Sequence, residues 1–278
     1  MQIKTSTSEN KDALRLSKER CRNYRRRVLE LSQQVSALHV APAFSCMEIV
    51  DLIYNVLMAP RPKSAPQDTF VMSKGHGYMG QAVILEEMGV LQKKDLDDYC
   101  KPEGRLGAHP DYGVPGIEAT TGSLGHGFGL AVGMAAADII KGEDRKIFVI
   151  IGDGELQEGS CWEAITMAPN LNLSNLTVFL DLNDYQGLGR TSESHPFFNP
   201  VSEKVRSFGW ASEETDGHDV KDMMSALDKC AGDKPTFIVC HTVKGKGVSY
   251  MQNNPIWHYR SPNMEEYEMA LAELEDSK

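Results

Sequence analysis

The sequence lacks any long apolar run. No stretch approaches the roughly 20 consecutive apolar residues that a membrane-spanning helix needs. The N-terminus, MQIKTSTSENKD, has no apolar segment of the kind found in signal peptides. We therefore expect no membrane association and no targeting signal, and these absences are typical of a cytoplasmic protein.

Paired cysteines are also missing. The six cysteines stand singly, without a CxxC pair, at Cys21, Cys46, Cys100, Cys161, Cys230 and Cys240. This spacing suggests neither a zinc site nor a disulfide framework. We expect these side chains to be reduced and mostly buried.

Basic residues are too few for a general nucleic-acid binder. The chain has 29 Lys and Arg against 39 Asp and Glu, a net charge of −10, whereas neutralising phosphates requires a basic surface. A composition of 41% hydrophobic and 24% charged residues is ordinary for a globular protein. We expect one domain over residues 1–278, with a loose arm at 1–10 and a helical tail at 259–278.

One stretch, residues 146–190, predicts the fold. Residues 147–151 form a short apolar, largely β-branched run, residues 157–168 have a helical pattern, and residues 176–180 form a second apolar run. Such runs are typical of strands buried on both faces, and a strand, a helix and a parallel strand make a right-handed βαβ unit. The prediction is an α/β fold with a doubly wound, mainly parallel sheet and helices on both faces.

Polar residues follow both predicted strands. Asp153 lies between two glycines after the first strand, and Asn183 follows the second. In an open α/β sheet both would emerge at the carboxyl edge, where ligands bind. Their oxygens suit Mg²⁺, and glycines beside a helix start suit a phosphate. Gly-Asp-Gly is also a common tight turn, and on these residues alone that alternative stays open.

The complete pattern resembles the thiamine diphosphate fingerprint, and the run GDGELQEGSCWEA at 152–164 is similar to its transketolase form. The resemblance implies that Asp153, Asn183 and the carbonyl of Tyr185 hold Mg²⁺, or another divalent cation such as Ca²⁺ or Mn²⁺, and thereby thiamine diphosphate. It also assigns cofactor binding to three other residues of the motif, Gly154, Glu155 and Glu158.

Further segments match the family in order along the chain: SKGH at 73–76, AHP at 108–110, TGSLG at 121–125, KGKG at 244–247 and WH at 257–258. The resemblance implies that four histidines transfer protons and bind sugar hydroxyls: His39, His76, His109 and His258. It assigns cofactor contacts to His76, His258, Lys74, Lys244, and the backbone of Gly122, Ser123 and Leu124. Taken alone, several of these segments are equally ordinary turns or solvated loops.

Around His39 the sequence departs from the family's Gly-His-Pro-Gly type of loop, with Leu38, Ala41, Pro42 and Ala43 at the neighbouring positions. We expect this departure to alter the contacts at the sugar end of the site. A specialised substrate is the corresponding expectation.

The resemblance implies the N-terminal, diphosphate-binding subunit of a split transketolase, which moves a two-carbon ketol unit from a ketose phosphate to an aldose. Its expected partner is a C-terminal subunit carrying the pyrimidine-binding half, in a heterotetramer with two copies of each chain. Without that subunit we expect no activity. Two alternatives are a 2-oxo acid dehydrogenase-type or other thiamine diphosphate enzyme, and a non-catalytic regulatory subunit.

Four local patterns give structural expectations. The five arginines between residues 20 and 27 are expected on the surface of a first helix, and Ser45 with Glu48 predicts a capping box. A strip of small residues on a helix over 128–140 indicates close packing against an internal helix or another subunit: Gly125, Gly129, Gly133 and Ala137. In Asp-Gly-His-Asp at 216–219, a turn with Asp219 capping the next helix is sufficient.

Overall fold

The computed structural model describes residues 8–35, 38–58, 67–187 and 189–276, with side chains from residue 15 onward. Most of the predicted arm at 1–10 therefore lies outside the described residues, and so do the last two residues of the tail. From Ser8 the chain is already helical.

A parallel five-stranded sheet forms the centre of the molecule, in the order β1-β2-β3-β7-β6. Its strands are β1 (Thr69–Met72), β2 (Ile147–Gly152), β3 (Leu176–Leu182), β6 (Ala211–Asp216) and β7 (Thr236–His241). A small antiparallel pair, β4 (Tyr185–Gln186) and β5 (Gly189–Arg190), follows β3. The apolar, β-branched runs form the central strands because both of their faces are buried.

Helices cover both faces of this sheet, which confirms the predicted doubly wound α/β fold. They are α1 (Ser8–Ser32), α2 (Val40–Ser45), α3 (Met47–Leu52), α4 (Tyr78–Glu87), α5 (Lys93–Asp97), α6 (His126–Lys141), α7 (Gly159–Asn170), α8 (Thr191–Ser194), α9 (Val201–Ser207), α10 (Val220–Lys229) and α11 (Met264–Asp276). Across the described parts of the chain, we find no helix both long and apolar enough to cross a bilayer.

Side chains that alternate along the strands divide the core in two. Phe148 and Ile150 of β2 pack with α1 to α4, α10 and α11 on one face. Val149 and Ile151 pack with α6, α7 and α9 on the other. This alternation follows from the two-residue period of a strand. Because all five strands are parallel, their carboxyl ends meet at one edge of the sheet, which is where the candidate site lies.

The predicted capping box at Ser45 and Glu48 is wrong. Ser45 is the last residue of α2, and Cys46 separates it from α3 without a side-chain cap. The Ser45 hydroxyl instead donates to Asp181 at 2.7 Å, and the Glu48 carboxylate binds Arg25. Both side chains are drawn to buried partners far away in sequence, which outcompete the local capping pattern.

The prediction that all five arginines of α1 lie on the surface is also wrong. Arg25 is only 5% exposed, and two of its N–H groups bind Glu48. Arg20 reaches the buried Asp51, and Arg27 forms an ion pair with Glu86. Much of this basic cluster therefore holds α1 against α3 and α4.

The small-residue strip of α6 is open at two of its positions, Gly129 and Gly133, among the described residues. A Cβ atom placed on Gly129 or Gly133 would meet nothing within 4 Å. Leu130 and Ile140, on the same helix, are 46% and 84% exposed. Among the described residues no internal helix packs on Gly129 or Gly133, and packing against another subunit stays a prediction.

Candidate active site

Two neighbouring strands bring the predicted metal ligands to one edge of the sheet. Gly152 of β2 pairs with Asp181 of β3, so Asp153 and Asn183 leave the sheet at the same end. The Asn183 side-chain oxygen accepts a hydrogen bond from the Tyr185 N–H at 3.0 Å. The Tyr185 carbonyl lies 4.0 Å from where a Cβ of Gly154 would be. The segment after β3 therefore folds back against the Gly-Asp-Gly loop.

Asp153 is a buried carboxylate at this edge of the sheet. It is 1% exposed and accepts hydrogen bonds from the Gly154 N–H at 2.9 Å and the Thr191 hydroxyl at 3.4 Å. Among the described residues no lysine, arginine or histidine forms an ion pair with it. Burial, reinforced by the charge of Asp181, raises the pKa of Asp153 to about 7. Such a group fits a divalent cation, which would favour its charged form.

Lys244 is a buried cation without a carboxylate partner among the described residues. Its ammonium donates to Nδ1 of His258 at 2.7 Å and lies 5.4 Å from the centre of the Tyr185 ring. The side chain is 2% exposed, and burial together with the charge of Lys74 lowers the pKa of Lys244 to about 8. A site that holds a cation in this way fits an anionic group such as a diphosphate.

Lys74, unlike Lys244, has a carboxylate partner. Its ammonium is fully buried and bonded to Asp181 and to the Pro42 carbonyl. Burial lowers the pKa of Lys74, but Asp181 outweighs it and raises the pKa overall. The charge of Lys74 is thus neutralised inside the protein by Asp181, and the assignment of Lys74 to cofactor binding stays a prediction.

Asp181 is a residue of this site that sequence reasoning missed. Besides Lys74 it accepts from the hydroxyls of Ser45 and Thr242 and from the Asn183 amide at 3.1 Å. Asp181 orients Asn183 by accepting a hydrogen bond from its amide nitrogen. The side-chain oxygen of Asn183 consequently points toward the Tyr185 N–H. The available signal was a carboxylate inside an otherwise buried apolar strand, which needs a charged partner.

The structure brings together all four predicted histidines. The ring centroids of His76, His109 and His258 lie 5.7, 5.6 and 5.3 Å from that of His39. His39 precedes α2, and His76 and His258 lie on short 3₁₀ turns. His109 packs on Gly122, whose φ of +130° favours glycine and where a Cβ would lie 3.0 Å from the ring.

Hydrogen bonds fix different tautomers of His39 and His258, so that the free Nε2 atom is an acceptor in one ring and a donor in the other. The Nδ1–H of His39 donates to the His258 carbonyl at 2.9 Å, which leaves its Nε2 as an acceptor. The Nδ1 of His258 accepts from Lys244, so its proton is on Nε2. Burial is the main cause that lowers the pKa of His39 to about 4 and that of His258 to about 3. Both rings are neutral near pH 7.

Burial likewise lowers the pKa values of His76 and His109. The cluster therefore carries little charge near neutral pH and offers both hydrogen-bond donors and acceptors. An uncharged polyhydroxy compound fits such a surface because each hydroxyl both donates and accepts.

Three of the four altered positions around His39 lie in the hydrophobic core. Leu38, Ala41 and Ala43 are at most 1% exposed and belong to the hydrophobic core. The backbone of this loop does reach residues of the site, since the Pro42 carbonyl binds Lys74 and the Ala41 carbonyl accepts from the Gly245 N–H at 3.1 Å. These three side chains pack inward, and the expectation that the altered loop changes the sugar contacts stays a prediction.

Glu155 joins three loops of the site. Its carboxylate accepts from the Ser73 hydroxyl at 2.5 Å, the Gly125 N–H at 3.0 Å and the Gly152 N–H at 3.4 Å. It is 1% exposed, so it fixes the segment containing Gly122, Ser123 and Leu124 rather than offering a free charge. Glu158, in contrast, is exposed where α7 begins, beside Gly125. Its assignment to cofactor binding stays a prediction.

The fold and the site fit a protein that binds a divalent cation and a diphosphate group. Residues 17–269 match the family described as transketolase, thiamine diphosphate binding domain, so the chain belongs to the transketolase family. The resemblance found in the sequence is thereby confirmed.

Similar proteins include several that are named as transketolase subunits. The chain is 35% identical over 257 residues to one subunit of the apulose-4-phosphate transketolase of Phocaeicola vulgatus, covering 91% of both chains. It is 37% identical over 257 residues to 6-deoxy-6-sulfo-D-fructose transketolase subunit SqwG of Clostridium sp., covering 90% of this chain and 93% of the relative.

Solved transketolases share the fold. The enzyme of Campylobacter jejuni superposes with a TM-score of 0.86 at 25% identity, covering 94% of this chain and 43% of that one. The enzyme of Leishmania mexicana gives a TM-score of 0.85 at 28% identity, covering 93% of this chain and 41% of that one. This chain thus corresponds to less than half of each of these longer proteins.

Proposed function

We propose that this chain is the diphosphate-binding subunit of a Mg²⁺-dependent, two-chain transketolase that transfers a two-carbon ketol unit from a ketose to an aldose. The single observation that carries the proposal is the cluster of four neutral histidines beside a buried lysine and a buried, unpaired carboxylate. The names of the relatives, which are subunits acting on apulose 4-phosphate or a sulfo-fructose, support a phosphorylated or sulfonated ketose as donor.

Asp153, Asn183 and the Tyr185 carbonyl would hold the divalent ion, and Lys244 would neutralise part of the diphosphate. When bound, thiamine diphosphate supplies the nucleophilic carbon and the electron sink for cleaving the bond beside a ketose carbonyl. The role of this chain is to bind and orient the cofactor and the ketose and to exclude water, since the site is built from side chains that are mostly buried.

The histidines then act on the sugar. The free Nε2 of His39 accepts a hydrogen bond from a sugar hydroxyl, and the Nε2–H of His258 donates one to an oxygen of the same substrate. Because Lys244 donates to the other nitrogen of His258, this polarity is maintained while Lys244 stays protonated. Neutral imidazoles of this kind hold and pass protons without placing a fixed charge beside the reacting carbons.

A partner chain is part of the proposal. It would provide the pyrimidine-binding half, and the open face of α6 with its exposed Leu130 and Ile140 is available for packing. We propose a heterotetramer with two copies of each chain in the cytoplasm.

The test is to co-express the chain with the product of the neighbouring reading frame and to measure ketol transfer. Donors are a panel of ketose phosphates and sulfo-ketoses, with pyruvate as the comparison for a 2-oxo acid enzyme. Transfer by the complex, and none by this chain alone, is expected. Pyruvate decarboxylation without ketol transfer, or full transfer by the isolated chain, would contradict the proposal.

A further inference from the structure

The Asp-Gly-His-Asp turn at 216–219 contains one side chain that the turn itself does not need. Asp219 caps α10 by accepting from the N–H groups of Lys221 and Asp222 at 2.8 and 3.2 Å, which confirms the predicted cap. The Asp216 carboxylate accepts the His218 N–H at 2.8 Å. Together these bonds define the turn, whereas the imidazole of His218 bonds to residues outside it.

The His218 ring bridges α3 and the segment that follows β7. Its Nε2 accepts from the Val243 N–H at 2.8 Å, and its Nδ1 lies 2.9 Å from the Glu48 carboxylate. A backbone N–H can only donate, so Nε2 carries no proton and Nδ1–H donates to Glu48. The ring is therefore neutral and held in one tautomer.

Glu48 gives the ring a rigid support. Two N–H groups of Arg25 bind its carboxylate at 2.6 and 2.8 Å, and Arg25 also donates to the Phe44 carbonyl at 3.0 Å. Burial favours the protonated acid, but Arg25 and His218 outweigh it and lower the pKa of Glu48 to about 2. A bidentate pair of this kind fixes direction as well as charge.

The turn is also pressed against the end of β7. A Cβ on Gly217 would collide with Cγ2 of Thr242 and would lie 2.9 Å from Cβ of Cys240. The Gly217 N–H donates to the His241 carbonyl at 2.8 Å. Val243 and Lys244 follow β7 and lie beyond the last residue pair between β3 and β7, Leu182 with His241. Where the pairing of the strands ends, the hydrogen bond from the Val243 N–H to His218 therefore holds the backbone in place.

We infer that His218 is a positioning residue for Lys244, acting through the Val243 N–H and the support of Glu48 and Arg25. It sets the backbone from which the Lys244 ammonium reaches His258 and, in the proposed function on which this inference rests, the diphosphate. Neither predicted feature, the surface arginines nor the plain turn, suggested this connection.

Two amide substitutions separate the two bonds of the ring. The side chain of Gln reaches the position of Nε2, so His218→Gln keeps an acceptor for Val243. The shorter Asn reaches the position of Nδ1, so His218→Asn keeps a donor for Glu48 and leaves the Val243 N–H unpaired. The measurement is the affinity of Mg²⁺–thiamine diphosphate for the co-expressed complex, by calorimetry.

We expect His218→Asn to weaken cofactor binding about tenfold, the consequence of one unpaired buried donor, and His218→Gln to stay within about threefold of the wild type. In a Lys244→Ala background the His218→Asn change should have no further effect on affinity. The matched control Asp219→Ala, in the same turn, should lower the melting temperature without changing cofactor affinity.

Equal losses for the Asn and Gln variants, or an unchanged affinity for both, would overturn the inference and leave the proposed function standing. An undiminished effect of His218→Asn in the Lys244→Ala background would also overturn it. Failure of the wild-type complex to bind the cofactor, or unchanged binding by Lys244→Ala alone, would instead refute the proposed diphosphate site, and the inference with it.

Discussion

Replacing Lys74 by Met should destabilise the cofactor-free chain strongly. The ammonium of Lys74 is 1% exposed and is the cation that pairs with the fully buried Asp181. Removing one member of a buried ion pair typically costs about 3–5 kcal/mol, because the other charge is left uncompensated. Asp181 keeps the donors Ser45, Thr242 and Asn183. We therefore expect the lower end, about 3 kcal/mol.

The assay is urea unfolding followed by circular dichroism, without cofactor or metal. Lys93→Met is the matched control, since Lys93 forms an exposed pair with Asp97 on α5, and exposed pairs contribute about 0–1 kcal/mol. A Lys74→Met chain that also carries Asp181→Asn should recover part of the loss, because the orphaned charge is then removed.

The opposite result would favour the assignment of Lys74 to the cofactor that was made from the sequence. If Lys74 served the diphosphate, Lys74→Met would leave the cofactor-free unfolding free energy close to that of the Lys93→Met control. Its whole effect would then show as weaker binding of thiamine diphosphate. That outcome would refute the reasoning that the lysine is neutralised within the protein.

Three further predictions follow from the site and its surroundings. Burial lowers the pKa values of His39 and His258 to about 4 and about 3, below the value of about 6.5 in the unfolded chain. The unfolding free energy should therefore fall as the pH drops from 6.5 toward 4, and these two groups should not affect it above pH 6.5. Urea unfolding across this pH range should show a shallower fall in His39→Gln. Glu155→Ala should cost about 3 kcal/mol or more in the same assay, because it leaves three buried donors unpaired, whereas Glu155→Gln should cost about 1 kcal/mol; equal costs would contradict this. Gly133→Ala should stabilise α6 by up to about 1 kcal/mol, while Gly133→Leu should abolish co-purification with the partner chain; unimpaired co-purification would show that the strip is not the interface.

The arrangement of the strands could be predicted from the sequence because it follows from local patterns. The apolar runs that became β2 and β3 are buried on both faces, and their shared edge requires Asp153 and Asn183 to emerge together. The helix over 220–229 and its Asp219 cap were predictable for the same reason, since a cap and the helix period are local signals.

Charge pairing could not be predicted in this way. Lys74 and Asp181 are 107 residues apart, and Arg25 and Glu48 are 23 apart on different helices. A sequence shows that a charged residue is present but not which opposite charge the fold brings to it. Lys74 was therefore assigned to the cofactor and Arg25 to the surface, although both are buried partners of carboxylates.

The central claim is that Asp153, Asn183 and the Tyr185 carbonyl together bind a divalent cation that carries the diphosphate. The most direct measurement is an anomalous difference map from crystals of the complex grown with Mn²⁺ and thiamine diphosphate. We predict one strong peak bonded to all three oxygens, lost in Asp153→Ala. A peak elsewhere, or cofactor density beside this edge of the sheet with no metal at these oxygens, would contradict the claim.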